Sequence, residues 1–200
     1  MTVRANANPD APFVHPTATI DADVVIGDEA CVWHHCHVMS GARLGRGVML
    51  GQGCYVGRGV TIGDRTRIQN HVSVFEGVEL ESDVFVGPSA VFTNVLRPRA
   101  FLKQEFLKTR VRRGATIGAN ATILPGIEVG EYAFVGAASL VRKDVPRHAL
   151  VVGVPARRIG WVGTHGERLR FDGNLGVCPL TGERYRLTPE GLTRDEPAEP

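Results

Sequence analysis

Apolar side chains recur at every sixth position over most of the chain. One run extends from Val14 to Phe92 without a slip, and after an interruption the same period resumes at Val111 and continues to Val141. The fourth residue after each of these positions is small or β-branched almost throughout. A period of six fits neither the 3.6-residue helix nor the two-residue alternation of a long strand. It predicts a short strand and a turn, repeated as one side of a coil.

Three such sides would close a triangular prism, with the apolar residue and the small residue pointing inward. A narrow prism has room for stacks of Val, Ile and Ala, which agrees with an aromatic content of only 6%. Twenty hexads predict six to seven coils, each stacked about 4.8 Å above the last. Residues eighteen apart then become neighbours on successive coils. The fold class expected is therefore all-β, a parallel β-helix of triangular coils.

The six-residue period also divides the chain. We expect a β-helix domain over residues 1–160 that is interrupted by one inserted loop, residues 98–110, and a C-terminal extension over residues 161–200. The extension should contain a short helix or strand and a hairpin packed on the last coils. Its last eight residues, TRDEPAEP, have the composition of a frayed end.

Glycine and cysteine occupy defined positions in the repeat. Glycine often follows the inward apolar residue, as at Gly57 and Gly118, where a corner needs either unusual dihedrals or close backbone approach. Cys36 and Cys54 are eighteen apart at inward positions, which favours stacked thiols in a reducing compartment over a disulfide. Cys178 is expected to be structural rather than bound to a metal.

Length, charge and hydropathy exclude several classes of protein. No run of the 200 residues approaches the roughly 18 apolar residues of a membrane-spanning helix. The first residues have no secretory signal, so a cytoplasmic location is expected. A net charge of +2 is too even for a general nucleic-acid binder. Residues 98–113 nevertheless carry +5 and residues 142–158 carry +4, and two such patches suit small phosphorylated ligands.

The inserted loop points to the candidate chemistry, because insertions in a solenoid usually lie on its functional side. Glu76 and Asn94 are eighteen apart at outward positions just before this loop. A carboxylate and an amide carbonyl one coil apart can hold and orient an amine. The alternative is that both are solvated turn residues. His34, in a column with Gln52 and Asn70, either contacts a sugar or nucleotide or caps a seam between subunits.

The hexads resemble the left-handed parallel β-helix of the hexapeptide-repeat acyltransferases over most of residues 14–160. The resemblance implies left-handed coils and a homotrimer. The segment LVVGVPARRIGW, residues 150–161, is similar to the ending of the coenzyme A-dependent members. It implies that this end of the prism holds the nucleotide part of coenzyme A, with pantetheine running along the prism toward the loop. The implied cofactor contacts are Gly118, Gly136, Ala138, Lys143, Pro155, Arg157 and Arg158. The turn from Gly136 to Ala138 is a candidate oxyanion donor.

Residues 68–100 and 109–146, together with the CPLTGERYRL tail at 178–187, more specifically resemble the nucleotide-sugar 3-N-acetyltransferases. Members acting on UDP-2-acetamido-3-amino-2,3-dideoxy-glucuronate in surface polysaccharide synthesis are the most similar. This implies acetyl-CoA-dependent transfer to the 3-amino group of a nucleotide sugar at a site between subunits. Asn94 would orient the amine and Glu76 would place or deprotonate it, without a metal. The implied substrate contacts are His34, Asn70, Phe92, Arg99, Lys103 and Arg110.

Two other interpretations stay open. A dTDP-3-amino-3,6-dideoxyhexose is an alternative acceptor, because the sequence does not distinguish UDP from dTDP or settle the C6 group. A metalloenzyme similar to the γ-class carbonic anhydrases is suggested by WHHCH at 33–37 and by His35 and His71 in one column. Those two histidines are about 10 Å apart across two coils. Tetrahedral zinc needs three protein nitrogens close together, so we expect no metal.

Overall fold

The protein is a three-walled parallel β-helix. The computed structural model describes residues 10–188 and 191–195, and within them there is no α-helix. The chain coils left-handed and adds one strand to each wall in turn. The all-β fold class predicted from the six-residue period is therefore confirmed.

Strands are numbered along the chain and the walls are named A, B and C. Wall A contains β1 (Phe13–Val14), β4 (Cys31–Val32), β7 (Met49–Leu50), β10 (Arg67–Ile68), β13 (Phe85–Val86), β16 (Thr116–Ile117), β19 (Phe134–Val135) and β21 (Ala149–Val152), to which β22 (Arg157–Trp161) adds in antiparallel orientation. Wall B contains β2 (Thr19–Ile20), β5 (His37–Val38), β8 (Tyr55–Val56), β11 (Ser73–Val74), β14 (Val91–Phe92), β17 (Thr122–Ile123) and β20 (Leu140–Val141). Wall C contains β3 (Val25–Ile26), β6 (Arg43–Leu44), β9 (Thr61–Ile62), β12 (Val78–Leu80), β15 (Thr109–Val111) and β18 (Glu128–Val129).

Register follows the predicted eighteen-residue spacing. His37 pairs with Tyr55 and Tyr55 with Ser73 on wall B. Across the inserted loop the spacing lengthens, so that Val91 pairs with Thr122. Wall A holds eight parallel strands, because β21 stacks on β19 after a step of sixteen residues rather than eighteen. The hexad count missed that strand.

Both inward positions are buried in the coils that follow the first one, whereas Val14, Ile20 and Ile26 in the first coil are partly buried. Val56, Ile62 and Ile68 on the three walls are at most 1% exposed, and the small residues four positions later, such as Ala90 and Ala121, are fully buried. The apolar stacks thus form one core along the prism axis.

The corner geometry distinguishes the two possible reasons for glycine, which are unusual dihedrals and close backbone approach. The glycine after the inward residue has a close neighbour: a Cβ on Gly57 would lie 2.5 Å from the Glu76 nitrogen, and one on Gly118 would lie 2.4 Å from the Ala137 nitrogen. Positive φ occurs two residues later, where His35 and Asn120 adopt it without being glycine. Close approach therefore explains the glycine that follows each apolar residue.

The C-terminal extension is entirely β structure. Its antiparallel sheet contains β23 (Arg170–Asp172), β24 (Leu175–Val177), β25 (Arg184–Thr188) and β26 (Gly191–Arg194). The short helix that was one of the two expectations for this region is not formed within the described residues. Thr193 and Arg194, predicted to be frayed, end β26, whereas residues 196–200 of that segment lie outside the described residues. Tyr185 and Leu192 are fully buried in the common core, so the sheet is packed on the last coils.

Buried polar groups are satisfied by the backbone. Cys36 and Cys54 are free thiols that donate to Gly51 O at 3.0 Å and to Gln69 O at 3.1 Å. Cys178 is buried in the extension, also as a free thiol. His148, at the junction with the extension, has a ring nitrogen 3.0 Å from Val162 O. Over the described part of the chain, no helix has the length and apolarity that a membrane span requires.

Candidate active site

The corner between walls B and C, called the BC edge, collects the candidate catalytic side chains. The second residue of each corner forms one column along this edge, with successive members a coil apart. From the N-terminal end the column reads Ser40, Arg58, Glu76, Asn94, Pro125 and Lys143. The inserted loop leaves the prism directly after Asn94, as the hexad assignment predicted.

Glu76 and Asn94 are neighbours in the structure. The Asn94 amide nitrogen donates to the backbone carbonyl of Glu76 at 3.1 Å, not to its carboxylate. Asn94 is half-buried and Glu76 is exposed. The amide group is therefore held with its nitrogen occupied, which leaves its carbonyl oxygen and the Glu76 carboxylate to meet an amine.

Both ends of the inserted loop are fixed beside this pair. The Leu107 N–H donates to the Asn94 carbonyl at 2.9 Å and closes the base of the loop. Gly77 (φ 92°) and Gly126 (φ 81°) leave room for Leu107, since a Cβ on Gly77 would lie 2.9 Å from the Leu107 oxygen. The loop itself is exposed, with Phe101 at 82%. The base of the loop is thus hydrogen-bonded and packed against the prism, and the distal part faces solvent.

Carboxylates partly neutralise the charge of +5 on residues 98–113. Arg110, predicted to contact substrate, pairs with Glu79 at 3.3 Å, and Arg112 pairs with Glu81 at 2.8 Å and Glu128 at 2.9 Å. Stacking brings carboxylates from other coils against these guanidinium groups, so Arg110 has a partner within the chain, and its role as a substrate contact stays a prediction. Hydrogen bonds from Arg112 to Glu128 and Glu81 also raise the pKa of Arg112.

The other two predicted loop contacts remain exposed. Arg99 donates to its neighbour's carbonyl, Pro98 O, at 2.9 Å. Lys103 and, nearer the base, Lys108 are exposed, and no salt bridge of either lysine is found among the described residues. Lys108 lines a groove of about 450 Å³ on wall C, together with Glu79, Arg110 and Asp144.

A second pocket lies at the C-terminal end of the BC edge. Its volume is about 420 Å³, and Lys143, Arg157 and Arg158 all line it, as does Arg142. Pro155 lies in the turn that leads into β22, and the Arg158 guanidinium lies over the Trp161 ring at 4.4 Å. Three of the predicted cofactor contacts thus converge in one cationic pocket.

The remaining cofactor candidates lie on another edge. Gly118, Gly136 and Ala138 line the corner between walls A and B, the AB edge, across wall B from Asn94. The Gly136 N–H donates to Val151 O and the Ala138 N–H to Ala119 O, each at 2.8 Å. Those two N–H groups are therefore not available to an oxyanion. The Ala137 N–H, between them, has no backbone partner in the described chain.

Three predicted substrate contacts do not lie beside Asn94 either. Phe92 is 0% exposed and belongs to the core, so its assignment as a substrate contact was wrong. His34 and Asn70 lie on the AB edge. His34 stacks on His15 with ring centroids 3.5 Å apart, and Asn70 Oδ1 accepts the Gln52 N–H at 2.9 Å. Asn70 stabilises its corner through that bond.

The histidine column does not form a metal site in the chain described. A Cβ on Gly53 would lie 2.7 Å from His71 Nδ1, so this imidazole leans across the small residue that separates it from His35. No group of three or more His, Cys, Asp or Glu in the described residues could hold a metal ion.

One feature of wall B was missed by sequence reasoning. The rings of His37, Tyr55 and Phe75 follow one another up the wall beside the BC edge, at centroid distances of 5.9 and 5.5 Å. His37 and Tyr55 come directly before an inward residue of their hexads, whereas Phe75 comes directly after one. The three rings therefore do not share one position of the six-residue repeat, and comparing a single repeat position along the chain could not find them. Reading two adjacent columns together would have found them.

Models of two repeat families match the chain. The bacterial transferase hexapeptide (six repeats) matches residues 41–76, and the hexapeptide repeat of succinyl-transferase matches residues 110–141. Among curated proteins, the chain is 46% identical over 83 residues to dTDP-3-amino-3,6-dideoxy-alpha-D-galactopyranose 3-N-acetyltransferase of Aneurinibacillus thermoaerophilus, which covers 42% of the chain and 43% of that protein. It is 31% identical to serine acetyltransferase of Escherichia coli K12 over 68% of the chain and 42% of that enzyme. The chain thus spans less than half the length of these relatives.

Solved structures share the fold. A hexapeptide-repeat acetyltransferase of Vibrio cholerae, solved with acetyl coenzyme A, has a TM-score of 0.54 and 26% identity, covering 60% of the chain and 70% of that structure. A point mutant of GDP-perosamine N-acetyltransferase of Caulobacter crescentus, solved with CoA and GDP-perosamine, has a TM-score of 0.55 and 23% identity, covering 76% and 58%. The chain therefore carries the repeat and the β-helix fold of the hexapeptide-repeat acetyltransferases.

Proposed function

We propose that the protein is an acetyl-CoA-dependent N-acetyltransferase that acts on the 3-amino group of a nucleotide-linked amino sugar. The observation that carries the proposal is the Glu76–Asn94 pair at the base of the inserted loop, with the cationic pocket of Lys143, Arg157 and Arg158 on the same edge. The Glu76–Asn94 pair can bind the amine of the acceptor, and the cationic pocket can bind the phosphates of the donor.

The chemistry required of the protein is modest. The neutral amine nitrogen attacks the thioester carbonyl carbon, a C–N bond forms and the C–S bond breaks, and coenzyme A leaves as the thiolate. The Glu76 carboxylate, or the thiolate itself, takes the proton from nitrogen. Positioning of the two substrates can supply roughly 7–11 kcal/mol of such a barrier, so Asn94 acts by orienting the amine. The Ala137 N–H, from the turn identified in the sequence, lies in the same coil as Lys143 and two coils from Asn94, so we assign it to the bound donor rather than to the oxyanion.

We infer that the working form is a homotrimer with its sites between subunits. In one chain the AB edge, with Ala137, and the BC edge, with Asn94, lie on opposite sides of wall B. A second copy packed against the wall could bring one edge of each kind together. His34 would then serve as a contact in the seam between subunits.

Two nucleotide sugars are proposed as the acceptor. A dTDP-3-amino-3,6-dideoxyhexose is favoured by the 46% identical relative and by the pairing of Arg110 with Glu79, which withdraws a cation from any sugar carboxylate. A UDP-linked 3-amino glucuronate is favoured by the exposed Arg99, Lys103 and Lys108, which could bind its C6 carboxylate. We propose that the acetylated sugar serves surface polysaccharide synthesis and that the protein acts in the cytoplasm.

Product identification tests the proposal. The protein is incubated with acetyl-CoA and each sugar nucleotide, and the product is examined by mass spectrometry and by NMR of the C3 proton. We expect one added acetyl group on the 3-amino nitrogen. Acetylation of a 4-amino isomer at an equal rate would contradict the proposed position, and absence of any acetylated product would contradict the proposed activity.

A further inference from the structure

We propose that the BC edge on the N-terminal side of Asn94 holds the nucleoside diphosphate of the acceptor. Arg58 would bind the diphosphate, and the base would pack on the ring series of His37, Tyr55 and Phe75. The inference rests on the proposed function for the identity of the attached amino sugar, whereas the nucleotide site itself can be tested without it.

Arg58 is the cation nearest the Glu76–Asn94 pair on this side. It lies one coil below Glu76 and two below Asn94 in the same column. Its guanidinium donates to Ser40 Oγ at 2.7 Å, and no salt bridge to it occurs within the described residues. Arg46, Arg65, Arg110 and Arg112 each pair with a carboxylate. An exposed guanidinium without such a partner presents two parallel N–H groups, which match the oxygens of a phosphate.

A nearby carboxylate limits how far an anion can extend. Asp21 lies beyond Ser40, and its oxygens are taken up by His37 Nε2 at 2.9 Å and by the Ser40 N–H at 3.3 Å. The hydrogen bond from His37 holds the pKa of Asp21 below its ordinary value. The diphosphate is therefore expected beside Arg58, on the side toward Glu76, and not beside Asp21.

The ring series supplies a surface for the base. Phe75 is 37% exposed, the His37 side chain is 42% exposed, and Tyr55 between them is half-buried. Tyr55 is tilted 53° from Phe75 and lies edge-on to His37 at 78°, so the rings do not cover one another completely. Aromatic faces of this kind stack on nucleobases with little preference among them.

The spacing agrees with the order of groups in a nucleotide sugar. At about 4.8 Å per coil, Arg58 lies roughly 10 Å from Asn94 along the prism. A hexose ring separates its 3-amino group from the anomeric phosphate, so an amine at Asn94 places the diphosphate one to two coils away. The donor pocket with Lys143 lies two coils from Asn94 in the opposite direction. The two nucleotides would thus approach from opposite ends, with acetyl and amine groups meeting between them.

The test measures binding of dTDP and of UDP to the full chain by isothermal titration calorimetry. We expect Arg58→Ala to raise the Kd at least tenfold, and Tyr55→Ala to raise it several-fold. Tyr55→Phe, which loses only the hydroxyl bond to Met39 Sδ at 2.6 Å, should stay within twofold. Arg43→Ala, at an exposed arginine on wall C, is the matched control and should also stay within twofold. Coenzyme A should bind all four variants with unchanged Kd.

The outcomes separate this inference from the proposed function. Unchanged dTDP and UDP affinity in both folded alanine variants, or no binding to the unaltered protein, would overturn it. If Arg58→Ala does not fold, Arg58→Gln gives the same comparison. Nucleotide binding that depends on Arg58, without acetylation of any amino sugar, would support the nucleotide site and contradict the proposed function. Acetylation of the amino sugar with a sugar-nucleotide KM unaltered by Arg58→Ala would support the proposed function and contradict the nucleotide site.

Discussion

The side chain and the backbone of Asn94 make different hydrogen bonds. The amide nitrogen is bound to the Glu76 carbonyl and the backbone carbonyl closes the base of the loop on Leu107. The eighteen-residue spacing predicted that Asn94 and Glu76 are neighbours, but not which atoms meet, because the period fixes Cα positions and leaves the rotamers open. For the same reason it could not show that Glu79 neutralises Arg110.

Asn94→Ala is expected to lower kcat/KM for the amino sugar at least tenfold, because the amine loses its orienting carbonyl oxygen. The backbone bond to Leu107 is retained, so the melting temperature should change little and acetyl-CoA affinity should be unchanged. Thiol release with the sugar varied measures the effect.

The matched control is Asp64→Ala. Asp64 Oδ1 accepts the Arg46 N–H at 2.9 Å at the edge between walls C and A, so this variant also loses one bond between a corner side chain and the backbone of the previous coil, far from the site. Its kcat/KM should equal that of the unaltered protein. An unchanged kcat/KM in Asn94→Ala would remove Asn94 from the proposed role.

Among the elements, the short strands were predicted well and the corners only in part. Strands β1 to β20 lie where the hexads predict them, since one face of each wall is directed toward the core. The extension was predicted less well because it has no period, and its sheet depends on packing of Tyr185 and Leu192 onto the last coil. Strand β21 was missed because its sixteen-residue step departs from the repeat.

The two kinds of corner glycine should respond differently to substitution. A Cβ on Gly63 would lie 2.4 Å from the Ser82 nitrogen, so Gly63→Ala must displace backbone and should cost about 1–3 kcal/mol of unfolding free energy. Gly47, at φ 64°, has no atom nearer than 3.8 Å, and Gly47→Asn should stay within about 1 kcal/mol because asparagine tolerates this φ. Urea unfolding of both variants measures the difference. Equal losses would contradict the assignment of close approach to the first glycine.

His148 should make attachment of the extension sensitive to acid. Burial lowers the pKa of His148 from 6.5 to about 4, and the neighbouring Arg147 and Arg194 act in the same direction against Glu183. Between these values the unfolded chain binds more protons than the folded chain, so stability falls as pH falls, by up to about 3 kcal/mol. The loss begins below pH 6.5.

The measurement is the melting temperature between pH 6.5 and pH 5. His148→Asn, which can keep the φ of 59°, should show a smaller decrease over this range than the unaltered protein. His165→Asn, at an exposed histidine of the extension, should show the full decrease. Equal decreases in both variants would show that His148 titrates normally.

At the scale of the whole molecule, the walls differ in character. Wall C presents charged residues such as Arg43, Glu79 and Arg110, whereas wall A presents Phe85 at 38% exposure and wall B presents Val91 at 40%. The period predicts three walls but not which of them is the least polar, because packing in the core does not constrain the outward residues. The AB edge, where the less polar walls A and B meet, is the surface that we expect subunits to cover, which leaves the ring series beside the BC edge open to a ligand.

Sedimentation equilibrium should therefore give a mass of three 21.6 kDa chains. The trimer should persist at high salt, because the two walls that meet at the AB edge are largely uncharged. A monomer at micromolar concentration would contradict the proposal that the site forms between subunits.

The most direct test of the account is the initial rate of thiol release from acetyl-CoA with a dTDP- or UDP-linked 3-amino sugar. We expect release that requires the sugar, yields one thiol per acetylated amine, and falls at least tenfold in the double variant Glu76→Gln/Asn94→Ala. Release that is independent of any amino sugar, or that is unaffected in the double variant, would contradict it.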